Sequence, residues 1–325
     1  MKFLIAGAGA IGGYIGACLA RGGYDVTLFA RGPHLLAMQQ RGLRVLSAEG
    51  DFEVHPRVIG DLAEAGPMDV IFLGVKAHGL TQLAPQAQPL IGENTTVVST
   101  QNGIPWWYFQ SHAGEHTGLH LERVDPGGVI TAAIPADRVV ASIAYFATEI
   151  AEPGVIRHTE GNRLSLGEPD GTRSDRCKAI SAALIKAGIR CPVTQKIRTE
   201  IWVKLLGNVA FNPISALTRA TLSEMARDRE AVSVIRNIMT EVEAVAAKLG
   251  IEMPISIDQR IAGAGKVGEH KTSMLQDLEA GRPLELEAVV GAVVELGERL
   301  GVPMPHTRTV YACTRLLTII SSRQG

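Results

Sequence analysis

With 325 residues, 46% of them hydrophobic and 20% charged, the chain is too long for one ordinary core and too apolar to stay disordered, so two globular domains are expected. A formal net charge of −1 excludes a general attraction to nucleic acid or to an anionic membrane, so any bound anion must be held by local groups. Cys18, Cys177, Cys191 and Cys313 show no C-x-x-C spacing, no apolar run reaches the roughly 18 residues of a membrane span, and the N-terminus opens on a strand rather than a signal peptide; a cytoplasmic protein with reduced thiols is expected.

Phe3-Leu4-Ile5-Ala6 is a short apolar run suited to a buried parallel strand, and Gly7-Ala8-Gly9-Ala10-Ile11-Gly12 carries it into a predicted helix. In a G-x-G-x-x-G turn so placed, Gly7 makes the tight turn, Gly9 lets a pyrophosphate approach the backbone and Gly12 lets the helix lie close on the strand. The N–H groups at the start of that helix then face the phosphates. A second strand over 25–30 runs into Arg31, where an NAD enzyme carries an acid for the ribose 2′-hydroxyl. A guanidinium holds a 2′-phosphate that a carboxylate would repel, so NADP(H) is the expected cofactor; the plainer alternative is an exposed arginine at a strand end.

A short helix over 34–41 follows, then strands at 43–46 and 52–54 flanking the Gly50-Asp51 turn. Strands at 69–75 and 95–99 lead into Lys76 and into Gln101-Asn102-Gly103. Alternation of strands with helices predicts a parallel sheet whose ligands sit at the strands' carboxyl ends, where Lys76 and Asn102 fall. Each has a plainer reading, a solvated loop lysine and an Asn-Gly turn. Residues 105–135 lose regularity. Trp106-Trp107-Tyr108-Phe109 is placed to be a lid or a specificity wall, and His112, His116 and His120 recur at a spacing that would align three imidazoles on a helix. Gly114 and Gly118 weaken any such helix, so a loop without a metal is expected.

Strands are predicted at 138–145, 154–158, 163–166 and 189–193, with a helix over 173–186. From about Gln195 helical periodicity takes over, at 201–216, 229–249, 284–300 and 308–321, which divides the chain into domains 1–195 and 196–325. The segment 201–213 is apolar nearly all round, and its polar residues Lys204, Asn208 and Asn212 recur every four positions, drawing one polar stripe along a buried helix. Pro213 is expected to break that helix. Gly263-Ala264-Gly265-Lys266-Val267-Gly268 has a phosphate-loop look, but no strand precedes it and no Gly-Lys-Ser/Thr ends it, so a flexible loop is expected.

Taken together, Gly7-Ala8-Gly9-Ala10-Ile11-Gly12, Gln101-Asn102-Gly103, Trp202-x-Lys204-x-x-x-Asn208-x-x-x-Asn212-Pro213, Ser273-Met274-Leu275-Gln276-Asp277 and Gly281-Arg282-Pro283-x-Glu285 resemble the ketopantoate reductase (2-dehydropantoate 2-reductase) family over nearly the whole chain. The resemblance implies an α/β fold: an N-terminal Rossmann-type doubly wound sheet plus an all-α C-terminal domain like that of 6-phosphogluconate dehydrogenase, with the site in the cleft between them. It implies NADPH-dependent reduction of 2-dehydropantoate to D-pantoate in pantothenate and coenzyme A synthesis. Carried over by position, Lys204 is the general acid, Asn208, Asn212 and Ser273 bind substrate, Asn102 touches cofactor and substrate, and Glu285 lies beside the lysine and the nicotinamide ribose.

The residue chemistry agrees, because hydride arriving at a carbonyl carbon leaves an alkoxide that a buried ammonium of lowered pKa can protonate. Ser273 with Gln276 also reads as a capping box, and Glu285 as a first-turn acid complementing a helix dipole. His270, Val289-Val290-Gly291 and the long 105–135 segment depart from the family pattern, which keeps a second substrate open, another branched or aromatic 2-oxo acid. A non-catalytic NADP(H)-sensing protein is the alternative from a different class. The expected partner is a small-molecule 2-oxo acid, with no nucleic acid and no membrane, and a homodimer is left open.

Overall fold

The computed structural model describes residues 1–110 and 114–321. They divide into two compact units, residues 1–101, 105–110, 114–120 and 125–197 in the first, and residues 102–104, 121–124 and 198–321 in the second.

The first unit alternates β1 (Lys2–Ala6), α1 (Ala10–Arg21), β2 (Asp25–Phe29) and α2 (Gly32–Arg41), then β3 (Leu43–Ser47), β4 (Phe52–Val54), β5 (Arg57–Ile59) and β6 (Val70–Leu73). It continues with α3 (Leu80–Ala87), β7 (Thr96–Ser99), α4 (Val129–Ala133), β8 (Val139–Glu152), β9 (Val155–Gly167) and α5 (Asp175–Lys186). The strands make one sheet in the order β4-β3-β9-β8-β7-β6-β1-β2-β5. From β8 to β5 every neighbouring pair is parallel. All of β6 and β7, and β1 beyond Lys2, are buried, as expected of apolar runs covered on both faces. One side of the sheet is packed by Tyr14, Ile15, Cys18 and Leu19 of α1 with Cys177, Ile180 and Leu184 of α5.

Four expectations need correction here. The sheet is mixed rather than wholly parallel, because β8 and β9 form a long antiparallel hairpin of 14 and 13 residues. The break read between 158 and 163 is a bulge, not a loop: Gly161 sits at φ +73 against the carbonyl of Tyr145, an approach that only glycine permits. Residues 189–193 make isolated bridges, Arg190 to Arg163 and Val193 to Leu166, rather than a strand. The aromatic run is core, not lid: Trp106, Trp107, Tyr108 and Phe109 are all buried, and Trp107 Nε1 donates to Ser99 Oγ at 2.9 Å.

At the end of β9, Glu168 is buried and takes Arg176 in a fork, Nε to Oε1 at 2.7 Å and Nη2 to Oε2 at 2.6 Å, with Ser174 Oγ donating to Oε1. Arg176 also donates to the carbonyls of Asp137 and Val139, so one ion pair joins α5 to the start of β8 and the end of β9. Glu168→Ala, which strands the guanidinium, is expected to lower unfolding stability by about 3 kcal/mol in a urea titration.

The second unit is helical: α6 (Ile197–Thr218), α7 (Leu222–Arg227), α8 (Arg229–Lys248), α9 (Ile257–Lys266), α10 (Ser273–Glu279), a π-turn over Glu287–Gly291, α11 (Ala292–Arg299) and α12 (Pro305–Ser321). Helix α8 buries Ile235, Ile238, Met239, Val242, Val245 and Ala246, the three- and four-residue spacing of an amphipathic face. Its Glu241 accepts from the backbone N–H groups of His306 and Thr307 and so caps α12. Pro213 does not end α6, which runs five residues further; the residues on either side of it are buried, and their packing outweighs the lost backbone bond. The 263–268 stretch is also not a loop at its start. It closes α9, which Ser256 and Gln259 open with a capping box.

No helix among the described residues is long and apolar enough to cross a membrane. His112 lies outside the described residues, and among those described no group of three His, Cys, Asp or Glu side chains is placed to hold a metal ion.

Candidate active site

In the sheet unit, the chain leaves β1 through Gly7 at φ +113, a left-handed backbone in which a methyl group would stand 2.6 Å from Val75 Cγ1. Gly12 faces the carbonyl of Gly7 so closely that its Cβ would lie 2.2 Å from that oxygen. By contrast, a methyl on Gly9 would meet nothing within 4 Å, so the loop turns an open, side-chain-free face outward at that residue. Gly9 caps α1 without a side chain, no acid lies in the first turn, and the helical ladder starts at the Gly13 N–H to Gly9 carbonyl bond of 2.7 Å. The amides of Ala10, Ile11 and Gly12 are therefore available to an anion. Ala8 is tied to the end of β2 through its N–H and the Phe29 carbonyl at 2.7 Å.

Arg31 follows β2 as the extended N-cap of α2, exposed, its guanidinium 5.4 Å from the centre of the Phe29 ring. Lys76 stands at the carboxyl end of β6 with its Nζ buried, which corrects the reading of a solvated loop lysine. Gln101 has a structural role that its sequence context did not reveal. Its Nε2 donates to the carbonyls of Leu73 and Val75, at 2.7 and 2.9 Å, joining the ends of two neighbouring strands. An uncapped helix start, a glycine face open to a diphosphate and a cation after β2 together fit a phosphorylated dinucleotide.

In the helical unit, three residues far apart in sequence come together. Lys204 projects from α6, and Glu285 ends the segment before the π-turn, its Oε2 accepting from Asn102 Nδ2 at 3.3 Å. Burial lowers the Lys204 pKa to about 8, and the charge of Glu285 offsets part of that shift. Asn208 and Asn212 follow one and two turns along, half-buried and buried. The arrangement supplies an ammonium poised near neutrality, a carboxylate whose charge favours its protonated form and amides that can bind a polar small molecule.

Ser273 is the first residue of α10 and is exposed; the cap is Thr272, whose hydroxyl accepts from the Leu275 N–H at 3.2 Å. The capping box read on Ser273 is thus replaced by a simple cap one residue earlier, since the residue three after Thr272 is Leu275 and Gln276 Nε2 donates instead to the Lys271 carbonyl. The Asn-Gly turn read at 102–103 is more than a turn. Gly103, at φ +93, presses on the π-turn, where a methyl would stand 2.2 Å from the Ala288 carbonyl, and the Ile104 N–H donates to that carbonyl at 3.0 Å. The π-turn itself buries Val289 and Val290, the residues that depart from the family pattern. Arg260, also missed because no helix was expected at α9, lays its guanidinium on α6, where a methyl at Gly207 would come within 2.1 Å of Nη2.

Residues 3–171 match the family model for ketopantoate reductase PanE/ApbA, and residues 196–318 match the model for ketopantoate reductase PanE/ApbA C terminal. The chain belongs to the ketopantoate reductase family. Among its relatives in that family, a 2-dehydropantoate 2-reductase of Mesorhizobium japonicum is 49% identical over 98% of each chain. A candidate ketopantoate reductase from Ralstonia solanacearum MolK2 superposes with a TM-score of 0.94 at 38% identity, covering 99% of this chain and 98% of that one. The 2-dehydropantoate 2-reductase of Methylococcus capsulatus gives 0.84 at 32% identity, again over 99% and 98%.

Proposed function

We propose that the protein reduces 2-dehydropantoate to D-pantoate with NADPH, serving pantothenate and coenzyme A synthesis. The observation that carries the reading is the Lys204 ammonium, brought to about 8 by burial and countered by Glu285. In this reading residues 1–195 hold the dinucleotide, through Gly7, Ala8, Gly9, Ala10, Ile11, Gly12, Arg31 and Lys76. Residues 196–325 hold the substrate, through Asn208, Asn212 and Ser273. Asn102 serves both, and Glu285 lies beside Lys204 and the nicotinamide ribose.

NADPH supplies the hydride when bound. Lys204 gives its proton to the oxygen on which negative charge gathers, and Glu285 keeps enough of the lysine protonated to do so. The carboxamides of Asn208 and Asn212 and the hydroxyl of Ser273 pair with the substrate's carboxylate and hydroxyl groups without adding another buried charge. Arg31 forks the 2′-phosphate. Four cysteines without a disulfide support a cytoplasmic setting, and a homodimer is the assembly to test by light scattering.

Initial rates of NADPH oxidation with 2-dehydropantoate, pyruvate and benzoylformate test the reading. A kcat/KM at least about tenfold higher for 2-dehydropantoate is expected, a margin within the reach of a few polar contacts. A preference for benzoylformate would reassign the substrate to aromatic 2-oxo acids, and no turnover with any of them would favour the sensor.

A further inference from the structure

Arg123, Glu287 and Tyr311 take no part in the chemistry above, yet their side chains meet at the π-turn of the helical unit. The Tyr311 hydroxyl, on α12, is shared by both carboxylate oxygens of Glu287, at 3.0 Å from Oε1 and 2.8 Å from Oε2. Oε2 also accepts from Arg123 Nη1 at 3.1 Å, and the Arg123 guanidinium lies 5.7 Å from the centre of the Tyr311 ring. Gly291 leaves the room for this arrangement, since a methyl there would stand 2.6 Å from Glu287 Oε2. Burial and the adjoining carboxylate push the Tyr311 pKa up to about 12, so the hydroxyl keeps the proton it donates.

An exposed ion pair alone would hold little. Here the carboxylate also takes a charge-assisted bond from a buried tyrosine, and the segment that carries Arg123 is fixed a second time. Glu295 of α11 accepts the N–H groups of Glu122 and Arg123, at 3.1 and 2.9 Å, and is itself held by Arg299. Two backbone bonds then lead from the π-turn to the site: the Val289 N–H donates to the Glu285 carbonyl at 3.2 Å, and the Ile104 N–H to the Ala288 carbonyl at 3.0 Å. Glu285 and Asn102, whose side chains meet at 3.3 Å, are thus moored to the same turn, a rare backbone form that is frequent at functional sites.

We propose that Glu287, Tyr311 and Arg123 are positioning residues: together they clamp the π-turn and so set the Asn102–Glu285 pair beside which Lys204 acts. The inference rests on the reading of Lys204 as the proton donor with Glu285 as its counter-charge. Because Glu285 favours the ammonium, a slack π-turn that carries this carboxylate away lets burial lower the lysine further. The acid must be protonated to act, so the alkaline limb of the pH profile then moves to lower pH.

Profiles of kcat/KM against pH for 2-dehydropantoate, in the wild type, Glu287→Ala, Glu287→Gln and Tyr311→Phe, test the clamp. On the level part of the profile Glu287→Ala is expected to lose about tenfold, a fraction of what a full 1 Å displacement costs, and its alkaline limb to move down by about half a pH unit. Glu287→Gln, whose amide offers an acceptor to Arg123 and a donor to the tyrosine oxygen, is expected to stay within about threefold of wild type with the limb in place. Tyr311→Phe keeps the ring and removes only the hydroxyl, and is expected to lose about fivefold with the limb moved in the same direction. Wild-type profiles in both Glu287→Ala and Tyr311→Phe would overturn the proposal. So would a loss with the limb unmoved, which would leave only stability, or a glutamine variant as impaired as the alanine one, which would assign the effect to the charge of Glu287 acting through space. Failure of the wild type to oxidise NADPH with any 2-oxo acid would overturn the catalytic reading itself, and this inference with it.

Discussion

Lys204→Met is expected to lower kcat for 2-dehydropantoate reduction by about 10²–10⁴-fold, the range lost when a positioned proton donor is removed. Methionine keeps the length and the apolar stem of the side chain and removes only the ammonium, so α6 keeps its packing around Trp202, Leu205 and Leu206, all buried. Hydride transfer to a carbonyl carbon without a proton for the oxygen leaves a naked alkoxide. In a water-poor site nothing else takes up that charge cheaply. The effect is confined to the chemical step, so the NADPH dissociation constant, read by fluorescence titration, is expected to stay within about threefold of wild type. A variant with near wild-type kcat would remove Lys204 from the mechanism.

Gly103→Ala carries the second large effect. The added methyl would stand 2.2 Å from the Ala288 carbonyl and 2.5 Å from its carbon, both rigid backbone atoms, at a φ of +93. The chain must therefore back away from the π-turn. The Ile104 N–H to Ala288 bond and the Asn102 to Glu285 contact share the same short segment, so both are displaced. A misplacement of about 1 Å at a catalytic group costs on the order of 10² in rate, and kcat/KM is expected to fall by about that factor. Circular dichroism should show an unchanged helical content, since neither Gly103 nor its neighbours belong to a helix. Wild-type kinetics in this variant would mean that the tie between Asn102 and the π-turn has no part in catalysis.

How much of this was legible from the chain depended on how local the cause was. The Gly7–Gly12 turn and the polar stripe of α6 are written in consecutive residues with fixed spacing, and both could be read before any coordinates. The convergence of Asn102, Lys204 and Glu285 is not local. It became visible only through the family resemblance, because no periodicity links positions so far apart.

Where the reading failed, a local signal was overruled by packing. Pro213 is a helix breaker that buried neighbours carry within α6, and Gly161 marks a bulge in a hairpin that only register reveals. The aromatic run at 106–109 has the composition of a lid but is covered on all sides. Gln101 had no signal to find: it acts through backbone carbonyls of a distant segment, and side-chain chemistry alone does not announce such partners.

The most direct test is the pH dependence of kcat/KM for 2-dehydropantoate, measured side by side in wild type and Lys204→Met. An acid must be protonated to act, and in the free protein the ammonium loses its proton at about 8. The wild-type profile is therefore expected to be level below that pH and to fall about tenfold per unit above it, with this limb missing from the variant. The same alkaline limb in both proteins would contradict the assignment of the proton to Lys204.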